Sequence, residues 1–318
     1  MSKTIRTIKQ GEQHISYFSN NELDADILFR EIQKDTIGKS GSCPTWGYIY
    51  QNKNGKPKYK GIGLYKEYDY DAPHAAYAEK VWSIVGKSVL RDTRVPDIDI
   101  VEATKGEAGV ISYRVLDNDK EDLIHIRDIL FNKFQRADFK EQKDIFSMED
   151  LIECIGMQIE DRGNFIDVRK QLIHTLLLDA ITNNGDRHGN NWAIIRDKKT
   201  NKYKLADFDH SSAFVDMFSA KEFYTAGGWV SSYITTTPNR KKFMMGACGD
   251  EIIEYIFKNY RKEFEEFSTI FDQNLDSIIE EIENEELDVD KSRLIRKLKK
   301  RNNILKERIG REEQEYER

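Results

Sequence analysis

Asn184-Gly185-Asp186-Arg187-His188-Gly189-Asn190-Asn191-Trp192, followed by Leu205-Ala206-Asp207-Phe208-Asp209, decides how the 318-residue chain is read. Asp186 precedes Asn191 by five residues, and a second acidic cluster follows a short apolar run, a polar turn and a second apolar run. Phosphoryl transfer needs one group to orient the attacking hydroxyl and two to hold the Mg²⁺ that neutralises the phosphates. Kinase catalytic loops space a base and a metal-binding Asn in this way, with a metal-binding Asp on a later strand. The expectation is an ATP-dependent kinase site with Asp186 as base, Asn191 as metal ligand, and Asp207 or Asp209 as the second ligand.

The flanking segments fit that placement. Asn164 precedes a helical stripe of Phe165, Val168, Leu172, Leu176 and Ala180, with Ile173, Leu177 and Ile181 beside it; this stripe is core and delivers the chain to Asp186. His174 on that helix has no second ligand near it and reads as a packed histidine. Trp192 to Arg196 and Tyr203 to Phe208 read as strands around a turn at Asp197 to Lys202. A hairpin there would bring Asn191 and Asp209 to one end, near Asp186.

Upstream, Trp46 to Tyr50 and Tyr59 to Tyr68 read as strands joined by a hairpin turn over Gln51 to Pro57, which contains Asn54-Gly55. Lys66 lies on the second of these. Ala75 to Val85 then read as a helix carrying Glu79, with Tyr77, Val81, Trp82 and Val85 at 3-and-4 spacing. A strand Lys followed by a helix Glu is the arrangement that holds a kinase's phosphate lysine; the bland alternative pairs Glu79 with Lys80. Ile37 to Ser42 contains part of a Walker A loop, but the position that needs a Gly holds Gln33, and strand-like residues follow instead of a helix. A looser role remains for Ser40, Gly41 and Ser42 as a phosphate-approaching loop. Residues 1 to 40 are otherwise mixed, with a helix expected around Leu23 to Gln33.

Val95 to Val101 and Gly109 to Val115 alternate like two antiparallel strands. The polar Leu116 to Lys120 reads as a hinge, placing a β-rich N-lobe at 1–116 and a helical C-lobe at 117–318. In the second part, Ser147 with Asp150 predicts a capping box opening a helix to about Glu160. Glu251 to Phe271, Leu275 to Glu283 and Lys291 to Glu315 read as helices, the last solvated on one face and packed on the other.

Composition narrows the partners. Apolar residues make up 39% and charged residues 33%, and the net charge of −6 gives no attraction to nucleic acid or membrane, so neither is an expected partner. Cys43, Cys154 and Cys248 are odd in number and far apart, which suggests neither a disulfide framework nor a zinc site and fits a reducing cytoplasm. The N-terminus is polar, and no apolar run approaches the roughly 18 residues of a membrane span. A cytoplasmic location is expected, with non-classical secretion as an effector left open.

With these residues assembled, the sequence resembles the HipA-like Ser/Thr protein kinases, in particular their short stand-alone CtkA type, over about residues 60 to 215. The resemblance rests on Asn184 to Trp192, whose Asp-Arg-His order is shared with phosphoinositide kinases, and on Phe208-Asp209-His210-Ser211-Ser212. It implies an α+β, two-lobed protein-kinase-like fold, with ATP and Mg²⁺ as cofactors and a protein Ser or Thr hydroxyl as acceptor. It also leaves room for autophosphorylation and for an antitoxin-like partner. Asp186 would be the base, Asn191 and Asp209 the metal ligands, and Lys66 with Glu79 the nucleotide-positioning pair. Asp207 would take the metal role under a phosphoinositide-kinase alignment. Two alternatives accompany this reading: a catalytically silent nucleotide-binding regulatory module, and a phosphoinositide-type lipid kinase.

Overall fold

A computed structural model describes residues 4–10, 13–19, 27–34, 45–53, 56–68, 74–102, 108–117, 119–134, 146–214, 234–235 and 249–316. Contacts divide the chain into two compact units. One comprises Met1–Ser83, Pro96–Val115 and Glu285–Val289; the other comprises Ile84–Val95, Leu116–Asn284 and Asp290–Arg318.

The first unit is built on seven strands: β1 (Thr4–Gln10), β2 (Gln13–Ser19), β3 (Ile27–Lys34), β4 (Thr45–Lys53), β5 (Lys56–Glu67), β6 (Ile98–Glu102) and β7 (Ala108–Tyr113). They run in the order β1-β2-β3-β4-β5-β7-β6, and a parallel pairing of Thr4 with Glu102 closes the barrel. Lys53 pairs with Lys56, so β4 and β5 extend into the stretch expected as a turn from Gln51 to Pro57, because ladder partners across the hairpin hold these polar residues extended. Inside, Ile49, Val101 and Ile111 pack together with Tyr65 and Tyr113 against them. Helix α1 (His74–Val89) carries the expected Glu79 and runs a turn past the expected Val85. Its Ala76 packs with Ile98 and Val110.

The helix expected around Leu23 to Gln33 is overturned: Ile27–Lys34 is β3, hydrogen-bonded to β2 on one side and β4 on the other. Leu28 and Ile32 match helical spacing, but Ile27, Phe29 and Ile32 are β-branched or aromatic residues that suit a pleated surface. Ladder partners on both sides decide the matter, and they lie elsewhere in the chain. Ser40, Gly41 and Ser42, with the rest of the Walker-like segment, lie outside the described residues.

In the second unit, β8 (Glu121–His125), β10 (Trp192–Asp197) and β11 (Tyr203–Asp207) form a sheet in the order β11-β10-β8, while β9 (Phe146–Ser147) pairs in parallel with β12 (Ile234–Thr235). The helices are α2 (Ile126–Phe134), α3 (Met148–Gln158), α4 (Arg162–Thr182), α5 (Gly249–Asn259), α6 (Arg261–Asn284) and α7 (Lys291–Tyr316). Ser147 and Asp150 form the expected capping box on α3. The N-cap of α4 is Asp161, whose carboxylate accepts from the Asn164 amide at 2.8 Å, so this helix starts earlier than its apolar stripe. Every residue from Gln171 to Thr182 is buried, which makes the second half of α4 the axis of the unit's core.

The strip expected as one helix from Glu251 to Phe271 is broken at Tyr260, and α6 continues through Asp272-Gln273-Asn274, where a break was expected. Those polar residues are engaged by neighbours: Asp272 accepts from Asn302 at 2.6 Å and Lys306 at 3.0 Å, and Asn274 bonds back to the Ile270 carbonyl. Helix α7 buries Leu294, Leu298, Asn302 and Leu305, a single stripe, and leaves its other face wet as expected. None of the described helices is long and apolar enough to cross a membrane.

His174 is packed, as read from the sequence: it is buried against Phe267, with Nε2 3.1 Å from the Glu263 carbonyl oxygen. Burial lowers its pKa to about 4. An unfolded histidine binds its proton below about pH 6.5, so between there and pH 4 the unfolded state holds more protons and stability falls with acidification. Urea unfolding at pH 7 and pH 4.5 is expected to show an acid loss of which about 2 kcal/mol disappears in His174→Gln.

Candidate active site

Helix α4 ends on Asn183, whose left-handed backbone (φ 59°) turns the chain out of the helix and into the 184–191 loop. One guanidinium organises that loop. Arg187 is fully buried; its Nε and Nη2 donate to the two oxygens of Asp179 at 2.6 and 2.7 Å, and Nη1 donates to the Asn191 carbonyl at 3.1 Å and to Asp207 Oδ1. Nη2 also lies 3.2 Å from His210 Nδ1, and the guanidinium sits over the Trp192 ring at 5.6 Å. Asn184 Nδ2 caps Asp179 at 2.9 Å. Helix, loop and hairpin therefore meet on a single side chain. Burial pushes the Asp179 and Asp207 carboxyls up, and Arg187 pulls them back.

Around this clamp the loop closes on itself. The His188 amide donates to the Asp186 carbonyl and the Asn191 amide to the His188 carbonyl, both at 2.9 Å. Asn191 Nδ2 donates to the Asp186 carbonyl at 2.7 Å, and among the described residues no hydrogen bond uses its Oδ1. The hairpin pairs Trp192 with Asp207, and the Phe208 amide donates to the Asn191 carbonyl at 3.0 Å. Asn191 and the 207–209 segment thus share one end of the sheet, as the spacing predicted.

Asp207 and Asp209 have different surroundings. Asp207 is fully buried on Arg187, whereas Asp209 is half-buried in a left-handed conformation (φ 64°), with Ser211 Oγ donating to its Oδ1 at 3.4 Å. Burial and then the negative charge of Asp209 push the Asp186 carboxyl up to about 6. His188 Nε2 stands 3.8 Å from Asp186 Oδ2, and burial lowers the pKa of that imidazole.

A magnesium ion takes hard oxygen donors, one or two carboxylates from the protein and the rest from phosphate and water. The Asp209 carboxylate and the uncommitted Asn191 Oδ1 fit that set, and the repulsion between Asp209 and Asp186 is the kind a cation relieves. Among the described residues no group of three or more His, Cys, Asp and Glu side chains is arranged to hold a metal by itself.

In the first unit Lys66 Nζ binds Glu79 Oε1 at 3.0 Å, with the side chains 13% and 1% exposed. Lys80, the bland partner, instead pairs with Glu285 at 2.9 Å. Tyr68 OH donates to the same Glu79 oxygen at 2.7 Å. The site residues thus fall into two groups, one per unit. Sequence reasoning missed Tyr68, which shares the strand face of Lys66 by period-2 alternation. It also missed Asp179, whose only signal was an acid inside an apolar helical run.

Gly189 admits no side chain: a Cβ there would lie 2.9 Å from Arg127 Cα and 3.0 Å from its nitrogen, and the Arg127 amide donates to the Gly189 carbonyl at 2.9 Å. Gly189→Ala should force the loop off α2, costing about 1–3 kcal/mol. Urea midpoints check this; a midpoint equal to wild type would show that the backbones separate without cost.

This architecture, a β-sheet lobe and a helical part, is a kinase-like α+β fold. The chain is similar to the Helicobacter pylori proinflammatory kinase CtkA, with a TM-score of 0.55 and 14% identity over 83% of this chain and 90% of that one. It is also similar to a chain in the Shewanella oneidensis MR-1 toxin–antitoxin complex of HipA, HipB and operator DNA, with a TM-score of 0.52 and 14% identity over 86% of this chain and 65% of that one. No protein-family model matches the chain, and no curated protein does.

Proposed function

We propose that the chain is an ATP- and Mg²⁺-dependent Ser/Thr protein kinase of the HipA-like type. The observation that carries the reading is the sorting of acids around one loop. Arg187 holds Asp179 and Asp207 in the interior, while Asp186 and Asp209 remain close enough for one charge to raise the other's pKa. Asp186 orients the acceptor hydroxyl and takes its proton. Asn191 and Asp209 hold the metal; Asp207 is structural. Bound Mg²⁺ supplies charge neutralisation at the phosphates. Lys66, held by Glu79, contacts the nucleotide phosphates, and the phosphate-loop role expected of Ser40, Gly41 and Ser42 is kept as part of the proposal. Catalysis on this scheme is positioning plus electrostatics.

An antitoxin-like partner is proposed from the likeness to the HipA complex, and a cytoplasmic setting from the cysteine pattern. A thermal-shift assay with Mg²⁺-ATP, followed by a turnover assay on the same sample, tests the function. The expected result is stabilisation by nucleotide and release of ADP. Stabilisation without turnover would support the silent module, and label moving from ATP into phosphoinositides would support the lipid kinase.

A further inference from the structure

Tyr68 is the first residue after β5 and stands two positions beyond Lys66, so the two side chains leave the extended chain on one side. The end of that strand is set by β7, whose Val110 and Gly109 pair with Lys66 and Glu67. On α1, Ala76 and Glu79 are three residues apart and share a helix face. The Tyr68 ring packs against the cluster of Ala76, Ile98 and Val110, and its hydroxyl donates to Glu79 Oε1 at 2.7 Å. One side chain therefore ties the end of β5 to the face of α1 that carries Glu79.

Lys66 Nζ donates to that same oxygen at 3.0 Å, while Glu79 Oε2 is buried and accepts no hydrogen bond among the described residues. Two other tyrosines of the barrel also donate to carboxylates, Tyr65 to Glu67 at 2.6 Å and Tyr113 to Asp99 at 2.7 Å. Those two bonds stay among the strands. The Tyr68 bond crosses to α1 and lands on the oxygen that holds Lys66. The terminal torsion of a glutamate is broad and roughly two-fold, so a lysine by itself would leave either oxygen free to take the ammonium. A second donor on Oε1 fixes which oxygen that is and where it lies, and the position of Nζ follows.

We infer that Tyr68 is a positioning residue for Lys66: its hydroxyl pins Glu79 Oε1, so that the ammonium meets a nucleotide phosphate from one fixed place. The inference rests on the kinase reading of Lys66.

The test is binding of a non-hydrolysable ATP analogue to the full chain, measured by isothermal titration calorimetry. Wild type, Tyr68→Phe, Glu79→Met, the double variant and Lys66→Met are compared, with circular dichroism to verify folding. Phe keeps the ring on Ala76, Ile98 and Val110 and removes only the hydroxyl; Met keeps the length of Glu79 and removes the acceptor. Tyr68→Phe is expected to weaken analogue binding about three- to tenfold, the usual worth of one hydrogen bond, and to raise KM for ATP in step with kcat little changed. In the Glu79→Met background the same substitution is expected to change nothing, because the hydroxyl acts through that carboxylate. An equal loss in both backgrounds would show that the hydroxyl works elsewhere, and overturns the positioning role. Should Glu79→Met fail to fold, the kinetics of Tyr68→Phe carry the test, and a fall in kcat with KM preserved overturns the role. Analogue affinity of Tyr68→Phe equal to wild type, with Lys66→Met impaired, overturns the role of Tyr68 alone. Unchanged affinity in Lys66→Met overturns the nucleotide reading of that lysine, and the positioning role with it.

Discussion

Asp186→Asn is expected to slow phosphoryl transfer from ATP by about 10²- to 10⁴-fold, the usual worth of a positioned base, with little change in ATP affinity. An amide preserves the shape of the loop but cannot accept the hydroxyl proton. The neighbouring groups offer no substitute: Asp207 is bound to Arg187 in the interior, and His188 stands beside Asp186 at 3.8 Å with its own pKa lowered. The pH profile carries the same information. Burial and Asp209 push the Asp186 carboxyl up to about 6, and the base proposed for it works in the ionised form. kcat/KM, which reports the free enzyme, should therefore be level above pH 7 and fall below pH 6, to about a tenth at pH 5. The acid limb should be absent from the residual activity of Asp186→Asn. A flat wild-type profile from pH 5 to 8 would remove Asp186 from the role of base.

Arg187→Met should produce the largest loss of stability, about 3–5 kcal/mol, because removing one partner leaves buried charge uncompensated. Here two carboxylates, Asp179 and Asp207, share one guanidinium, and all three side chains are fully buried. Without Arg187 those carboxyls must take up protons or draw water into the core. Arg187→Lys keeps the charge but not the planar fork that reaches Asp179 through two nitrogens and Asp207 through a third, so an intermediate loss is expected. Urea denaturation at pH 7 and pH 5 checks both variants. The Met variant should recover part of its deficit at the lower pH, where protonation of the stranded carboxyls is easier. A Met variant within 1 kcal/mol of wild type would show that the clamp does not hold the loop.

What the sequence revealed and what it hid follow from the range of the interactions. Asp186 and Asn191 are five residues apart on one loop, and Ser147 and Asp150 share a capping box; each is a local signal that survives without tertiary context. Lys66 and Glu79 were legible because a strand and a helix in succession place them in order. Strand β3 was misread because its apolar residues satisfy either period, and only β2 and β4 select the extended form. Strand β8 went unseen because Glu121-Asp122-Leu123-Ile124-His125 is short and half-charged, and its partner β10 lies far along the chain. Asp207 and Asp209 are residues of one type two positions apart. Burial on Arg187 distinguishes them, and no spacing in the sequence encodes it.

The 184–191 loop and the 207–209 segment are proposed to form a phosphoryl-transfer centre with Asp209 at the metal. Its most direct test is transfer of label from [γ-³²P]ATP to protein by wild type and Asp209→Asn, followed by phosphoamino-acid analysis. Mg²⁺-dependent label on serine or threonine is expected with wild type, and loss of that label by orders of magnitude in the variant. Equal incorporation by the two proteins, or none by a folded wild type that binds ATP, would contradict it.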